Sequence, residues 1–150
     1  MAPLKITTPI SRPFEKNGTG SLNNMTPPNA LCVDTDIIID HLRGNKEAIH
    51  FLENTNKILM VSVITVTEIF SGIKNIKENK MAEMALGLFE CLGIDNKIAL
   101  IAGDFRKQYT KSHNIGLADA LIAATAHYHN AIVVTRNIKH FPMIQTLKPY

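Results

Sequence analysis

The chain has 150 residues, 45% of them hydrophobic and 19% charged, which suits one compact globular domain with a sizeable core and leaves little room for a second. The formal net charge is +3, with +2 on residues 1–29 and +1 on the rest, where 13 basic side chains meet 12 acidic ones. A body this close to neutral excludes polyanion binding by a global field and leaves it to local clusters.

Residues 1–29 hold five of the seven prolines, with Asn, Thr and Ser and little periodic hydrophobicity. This composition predicts a poorly ordered arm. It is a native extension, a start assigned too early (Met25 is the alternative initiator) or an appended segment. The N-terminus lacks a positive start followed by an apolar stretch, so no signal peptide is expected. No apolar run approaches the length of a membrane span.

From Ala30 the pattern changes. Leu31-Cys32-Val33 is a short apolar run ending at Asp34 and reads as a buried strand. Asp36 to Leu42 has helical spacing and stops at Gly44. Lys46 to Asn54 predicts a second short helix, with Ala48, Ile49 and Leu52 on one face. Ile58 to Val63 reads as a second buried strand. Thr65 to Lys74 predicts a helix carrying Glu68, and Glu78 to Leu92 a longer amphipathic helix closed by Gly93. Ile94-Asp95 is a candidate for a very short strand. Lys97 to Lys111 and Leu117 to His129 predict two further helices, the second dominated by small apolar residues. Ala131 to Val134 is a third clear strand and Ile144 to Leu147 a candidate edge strand. Short apolar strands alternating with helices point to one α/β domain over residues 30–150, built on a parallel sheet. Cys32 and Cys91 make no disulfide framework; both are expected as buried free thiols, in keeping with a reducing cytoplasm.

Parallel α/β sheets place their sites beyond the C-terminal ends of the strands. Asp34 ends the first strand, Glu68 lies one turn into the helix after the second, and Thr135 and Asn137 follow the third. Asp119 stands in a helix that is apolar nearly all round, where an ionised carboxylate is expensive without a cation or strong donors. Each acid also has a purely structural reading. Asp119 is placed for backbone amides and the helix dipole, Asp34 for capping the next helix. Thr65-Val66-Thr67-Glu68 matches a capping box. Together, three acids at one sheet edge repel one another unless a cation lies among them. Carboxylates, an amide and waters form a hard oxygen set, which suits Mg²⁺ or Mn²⁺, whereas zinc prefers His and Cys.

His127 and His129 are two apart on a helix and point in different directions. His41, His50, His113 and His140 have no partner at diagnostic spacing, so surface or loop roles are expected. Asp40 is expected to pair with Arg43 one turn on. Lys74, Lys77 and Lys80 form one basic cluster, and Arg106, Lys107 and Lys111 another, although helix lysines are usually only solvated. Arg136, beside Asn137, is the better candidate for a phosphate contact.

The run Leu-Cys-Val-Asp34-Thr-Asp-Ile-Ile-Ile-Asp-His-Leu-Arg-Gly resembles the opening strand and helix of PIN-domain nucleases. Ser62-Val-Ile-Thr-Val-Thr-Glu68-Ile-Phe-Ser-Gly is similar to their second motif. Ile115-Gly-Leu-Ala-Asp119-Ala-Leu-Ile-Ala-Ala-Thr-Ala and Val134-Thr-Arg-Asn137-Ile-Lys-His-Phe141 are similar to the third and fourth. All four occur in the family's order across roughly residues 30–147, and the strongest likeness is to VapC-type toxins of toxin–antitoxin pairs. The resemblance implies a three-layer α/β/α sandwich on a central parallel sheet, a Mg²⁺- or Mn²⁺-dependent endoribonuclease and usually a homodimer. It implies a small cognate antitoxin whose C-terminal segment covers the site. By position, Asp34, Glu68 and Asp119 form the acidic metal cluster, supported by Thr135 and Asn137, with products carrying 5′-phosphate and 3′-hydroxyl. Arg136 and Arg43 are candidate contacts for RNA or the antitoxin.

Three positions depart from the pattern. Many relatives have an acid where Asn137 stands, Asp where His140 stands, and Asn where Asp36 stands. One well-held ion is therefore expected, with Asp36 either adding charge near it or only starting the helix. Two competing readings follow from the residues. The domain is a degenerate nuclease that binds RNA or protein without cutting, or Asp34-Thr-Asp36 marks a dehalogenase-type phosphatase. The second wants Thr or Val where Ile38 stands and a later acidic pair that is not evident.

Overall fold

The protein is described by a computed structural model over residues 28–150, so the expected N-terminal arm lies outside the described residues except for its last two positions. In chain order the elements are β1 (Ala30–Val33), α1 (Thr35–Leu42), α2 (Lys46–Asn54), β2 (Ile58–Ser62), α3 (Val63–Ser71) and α4 (Ile76–Leu86). There follow β3 (Glu90–Leu92), α5 (Asn96–His113), α6 (Leu117–Tyr128), β4 (Ile132–Val134), a 3₁₀ turn (Ile138–His140) and β5 (Thr146–Leu147). The strands form one sheet in the order β3-β2-β1-β4-β5, and every neighbouring pair is parallel.

The period of two along a strand divides the core into two layers. Ala30 and Cys32 of β1 face α5 and α6, where Phe105, Ile98, Ala102 and the small residues Ala120, Ala123 and Ala124 pack. Leu31 and Val33 face the other way, onto Ile37 and Ile38 of α1, Ile69 of α3 and Ala82 of α4. Helices therefore cover both faces of the sheet, giving the three-layer α/β/α sandwich. Each fully buried Ile or Phe in these layers contributes about 2 kcal/mol through area removed from water. The alanine run of α6 allows that helix to lie close against β1, β2 and β4.

Two elements differ from the sequence reading. The helix expected to run from Glu78 to Leu92 stops at Gly87, whose amide bonds back to the carbonyl of Glu83 at 3.0 Å. Glu90–Leu92 is instead a strand, pairing Met60 with Glu90 and Ser62 with Leu92. Leu86 and Phe89 prolong the helical period in sequence, which hides the break at Gly87 and makes Gly93 look like the stop. The short strand expected at Ile94-Asp95 is this one, shifted. Cys91 is consequently exposed on an edge strand, with Leu92 turned inward, while Cys32 is buried as expected.

Candidate active site

The strand order reverses beside β1. The chain steps outward from β1 to β2 and β3, then returns across the sheet to β4 on the other side of β1. Such a switch point leaves a crevice at the C-terminal strand ends. Asp34 follows β1 directly and Thr135 follows β4, and the Asp34 amide donates to the Val134 carbonyl at 2.9 Å. The Asp34 carboxylate is held at both oxygens: Thr35 N donates to Oδ1 at 2.7 Å and the Thr135 hydroxyl to Oδ2 at 2.8 Å. The Thr135 hydroxyl in turn accepts from Asn137 N at 3.0 Å. Asp34 is only 7% exposed. Burial, and next the charge of Asp36, push its carboxyl up to about 6, against the pull of Thr135 and Thr35.

Three more acids share the crevice. Asp36, in the first turn of α1, accepts from Arg136 N at 2.9 Å through Oδ2, with Asn137 Nδ2 at 3.4 Å; its Oδ1 is buried without a hydrogen-bond partner. Glu68 is exposed on α3, and the Thr35 hydroxyl donates to its Oε2 while lying 3.3 Å from the Thr65 hydroxyl. The capping box is not formed. β2 ends at Ser62, whose hydroxyl caps α3 through Ile64 N at 3.2 Å, so Thr65 is buried inside the helix and Glu68 is freed to face α1. Asp119 lies in the first turn of α6. Its cap residue Gly116 has no side chain to offer, but the Gly116 amide bonds the Asp119 carboxylate, so the structural reading holds in part. Burial raises the carboxyl of Asp119, His140 lowers it, and Glu68 and Asp36 raise it again. Burial is also the first cause of the rise at Asp36.

At one sheet edge, Asp36 and Asp119 thus bear on Asp34, and Glu68 and Asp36 on Asp119. Their all-oxygen donor set and the unpartnered Asp36 Oδ1 fit a hard divalent cation. Among the described residues, no group of three or more His, Cys, Asp or Glu side chains stands close enough together to hold a metal ion as they lie.

The family model of the PIN domain matches residues 31–143, from β1 to just past the 3₁₀ turn, and so contains every one of these groups. The chain belongs to the PIN domain family. This PIN domain is 38% identical to ribonuclease VapC10 of Mycobacterium tuberculosis over 122 residues, covering 79% of the chain and 91% of that protein. Its fold is similar to that of a chain in a toxin–antitoxin complex from Klebsiella pneumoniae, with a TM-score of 0.70, 34% identity, and 81% and 98% of the two chains covered. It is likewise similar to a chain of FitAcB from Neisseria gonorrhoeae, with a TM-score of 0.67, 29% identity, and 79% and 97% covered. The phosphatase reading has no further support.

The basic residues of the PIN domain fall differently from expectation. Asp40 pairs with Arg136, Nη1 to Oδ2 at 2.7 Å, and not with Arg43. Adjacency of β1 and β4 brings these two together, and Tyr150 completes the group: its hydroxyl donates to Asp40 Oδ2 at 3.1 Å and its ring lies 5.8 Å under the guanidinium. Arg43 instead lines a groove of about 420 Å³ with Glu68, Lys74, Ile39, Ile73 and Met81. Lys148, which sequence reasoning missed, lines a second cavity of about 290 Å³ with Asp36, Arg136 and Asn137. Thr35 was missed as well, and His140, noted as standing where relatives have Asp, was not paired with any acid. Thr35 follows the first acid immediately and its hydroxyl could have been read as a partner for Glu68. His140, whose Nδ1 is 3.3 Å from Asp119 Oδ2, carried no spacing signal. Arg106, Lys107 and Lys111 lie on α5, which covers the opposite face of the sheet from α1 and α3. No helix among the described residues is long and apolar enough to cross a membrane.

Proposed function

We propose that this PIN domain is a Mg²⁺- or Mn²⁺-dependent endoribonuclease, the toxin of a type II toxin–antitoxin pair, hydrolysing RNA phosphodiester bonds in the cytoplasm. The observation that carries the reading is the convergence of Asp34, Asp36, Glu68 and Asp119 at the switch point, where Asp36 and Asp119 raise the carboxyl of Asp34, and Glu68 and Asp36 raise that of Asp119. Kinship with ribonuclease VapC10 supports RNA as the substrate. Asp34, Glu68 and Asp119 would hold the ion, with Asp36 and Asn137 at its flank and Thr135 fixing Asp34.

A bound Mg²⁺ or Mn²⁺ would supply positive charge at a phosphate oxygen and at the attacking water. Asp34, clamped by Thr35 and Thr135, sets the direction of approach. Glu68, exposed and oriented by Thr35, is placed to accept the proton of the water. The water oxygen bonds to phosphorus, the bond from phosphorus to O3′ breaks, and the departing O3′ takes a proton from solvent. The products carry 5′-phosphate and 3′-hydroxyl.

Arg136, Lys148 and Arg43 stand at the rim, where phosphate contacts position RNA without reading sequence. The groove that joins Arg43 to Glu68 continues into an apolar hollow lined by Leu42, Met81, Met84 and Leu88, which suits the C-terminal segment of a cognate antitoxin. A homodimer is part of the same reading. A non-cutting RNA- or protein-binding module is favoured by one observation: Asn137 brings no charge and its amide is turned onto Asp36. Metal-dependent cleavage by wild type separates the two, and Asp119→Asn places it. In the nuclease this variant folds, binds RNA and loses metal-dependent cleavage; full cleavage by the variant removes Asp119 from the site.

A further inference from the structure

On the β4 side of the acids lies a cavity of about 290 Å³ lined by Asp36, Arg136, Asn137 and Lys148. The lining holds two cations, one carboxylate and one amide, and so carries one net positive charge. It offers no apolar side chain, which suits a charged, hydrated group and gives a nucleobase nothing to stack on. The sheet itself brings the two cations together. The β4–β5 register pairs Val134 with Leu147, and Thr135 N donates to the Leu147 carbonyl at 3.1 Å, so Lys148 emerges beside the residues that follow β4.

Arg136 is fixed at both ends. Its amide donates to Asp36 Oδ2 at 2.9 Å, and its Nη1 donates to Asp40 Oδ2 at 2.7 Å. The Tyr150 hydroxyl donates to the same Asp40 oxygen at 3.1 Å, and the Tyr150 ring stands 5.8 Å from Arg136 Cζ. Burial first, and the bond to Asp40 next, push the Tyr150 hydroxyl above its ordinary value, so it remains a donor. The Arg136 side chain is nevertheless 50% exposed, against 15% for Asp40. Asp40 engages one nitrogen of a fork that carries five N–H donors. An arginine held in this way has already lost its rotamer freedom, so a phosphate that meets it pays less for ordering. Asp40 stands one helical turn of α1, about 5.4 Å, beyond Asp36. The guanidinium is thereby displaced from the acids by a similar step.

We propose that this cavity is a subsite for one phosphate of the RNA strand other than the one that is cut, that Arg136 and Lys148 are its contacts, and that Asp40 and Tyr150 are positioning residues that aim Arg136 into it. The inference rests on the reading of RNA as the substrate. A contact of this kind fixes the path of the strand across the crevice without reading its sequence. The Asp40 carboxylate opposes RNA by its charge and favours it by holding the guanidinium, and these two effects have opposite signs.

The test uses the full chain and a fluorescent single-stranded RNA of mixed sequence, with anisotropy read in EDTA over a range of salt so that binding is measured without cleavage. Arg136→Ala and Lys148→Ala are each expected to weaken binding and to lower the slope of log affinity on log salt by about 0.7. Asp40→Asn decides the positioning role by its sign. It removes a negative charge, so charge alone predicts tighter binding, whereas loss of aim predicts weaker binding. Tyr150→Phe changes no charge and keeps the ring, and is expected to weaken binding less than Asp40→Asn. In an Arg136→Ala background, Asp40→Asn is expected to cause no further loss, which a merely structural role for Asp40 would not produce. In Mn²⁺, cleavage by Asp40→Asn and Tyr150→Phe should show a raised KM rather than a lowered kcat. Equal or tighter binding by Asp40→Asn, or a fall in its kcat alone, overturns the positioning role. Unchanged affinity and slope in both Arg136→Ala and Lys148→Ala overturn the subsite. A wild type that binds no RNA with or without Mn²⁺ overturns RNA as the substrate, and this inference with it. RNA bound through these residues but not cut in Mn²⁺ supports the subsite and counts against the nuclease alone.

Discussion

Asp34→Asn should make the metal-free protein more stable while abolishing its chemistry. The Asp34 carboxyl ionises at an ordinary 3.8 when unfolded and is pushed up to about 6 in the fold, chiefly by burial and then by Asp36. Below pH 4 the group is protonated in both states and costs nothing. Between pH 4 and 6 the folded chain holds the extra proton, so stability falls as pH rises; above 6 the whole penalty is present. A rise of this size corresponds to about 3 kcal/mol. The amide keeps the bond from Thr35 N but turns a donor towards Thr135, a loss of about 1 kcal/mol. The net gain at pH 8 in chelator is then about 2 kcal/mol, or roughly 5–10 °C in Tm for a domain of this size. Thermal and urea unfolding in EDTA between pH 4 and 8 reads it. Saturating Mn²⁺ should stabilise wild type, by about 2.7 kcal/mol at a hundredfold excess over Kd, and leave the variant unmoved. A variant less stable than wild type at pH 8 in chelator, or an equal difference at pH 4 and pH 8, would refute the reasoning.

Thr135→Val removes the donor to Asp34 and the acceptor for Asn137 N at near-constant volume; it should cost about 1–3 kcal/mol by urea unfolding and weaken Mn²⁺ binding. Phe141→Ala empties a fully buried position beneath the 3₁₀ turn and should cost about 3–5 kcal/mol by urea unfolding. Asp40→Asn breaks an ion pair that is half exposed on the arginine side and should change stability little; RNA affinity measured by filter binding should respond more, as Arg136 is released from its fixed place at the rim.

Much of the fold was legible because β1, β2 and β4 are short, continuous apolar runs. Leu31 to Val33 and Ile132 to Val134 are covered on both faces, and a parallel sheet demands that continuous hydrophobic pattern. β3 was not legible, since three residues at a sheet edge with only Leu92 buried carry no period of their own. The acids were found by topology, as strand ends at a switch point can be placed from sequence once strands are known. The partners of those acids were not. Whether Glu68 caps its helix or faces Thr35 depends on which residue caps α3, a shift of three residues from Thr65 to Ser62. Asp40 met Arg136 and not Arg43 because strand adjacency joins positions 96 residues apart, and no local spacing rule can see that.

The most direct test of the proposed nuclease is cleavage of a mixed RNA pool by the purified chain, free of any partner, in Mg²⁺, Mn²⁺ or EDTA, beside Asp34→Asn. Internal cuts leaving 5′-phosphate ends are expected only with the divalent ion, and none from the variant, although the variant is folded. Cleavage that persists in EDTA, or in Asp34→Asn, would contradict the metal-dependent mechanism built on Asp34.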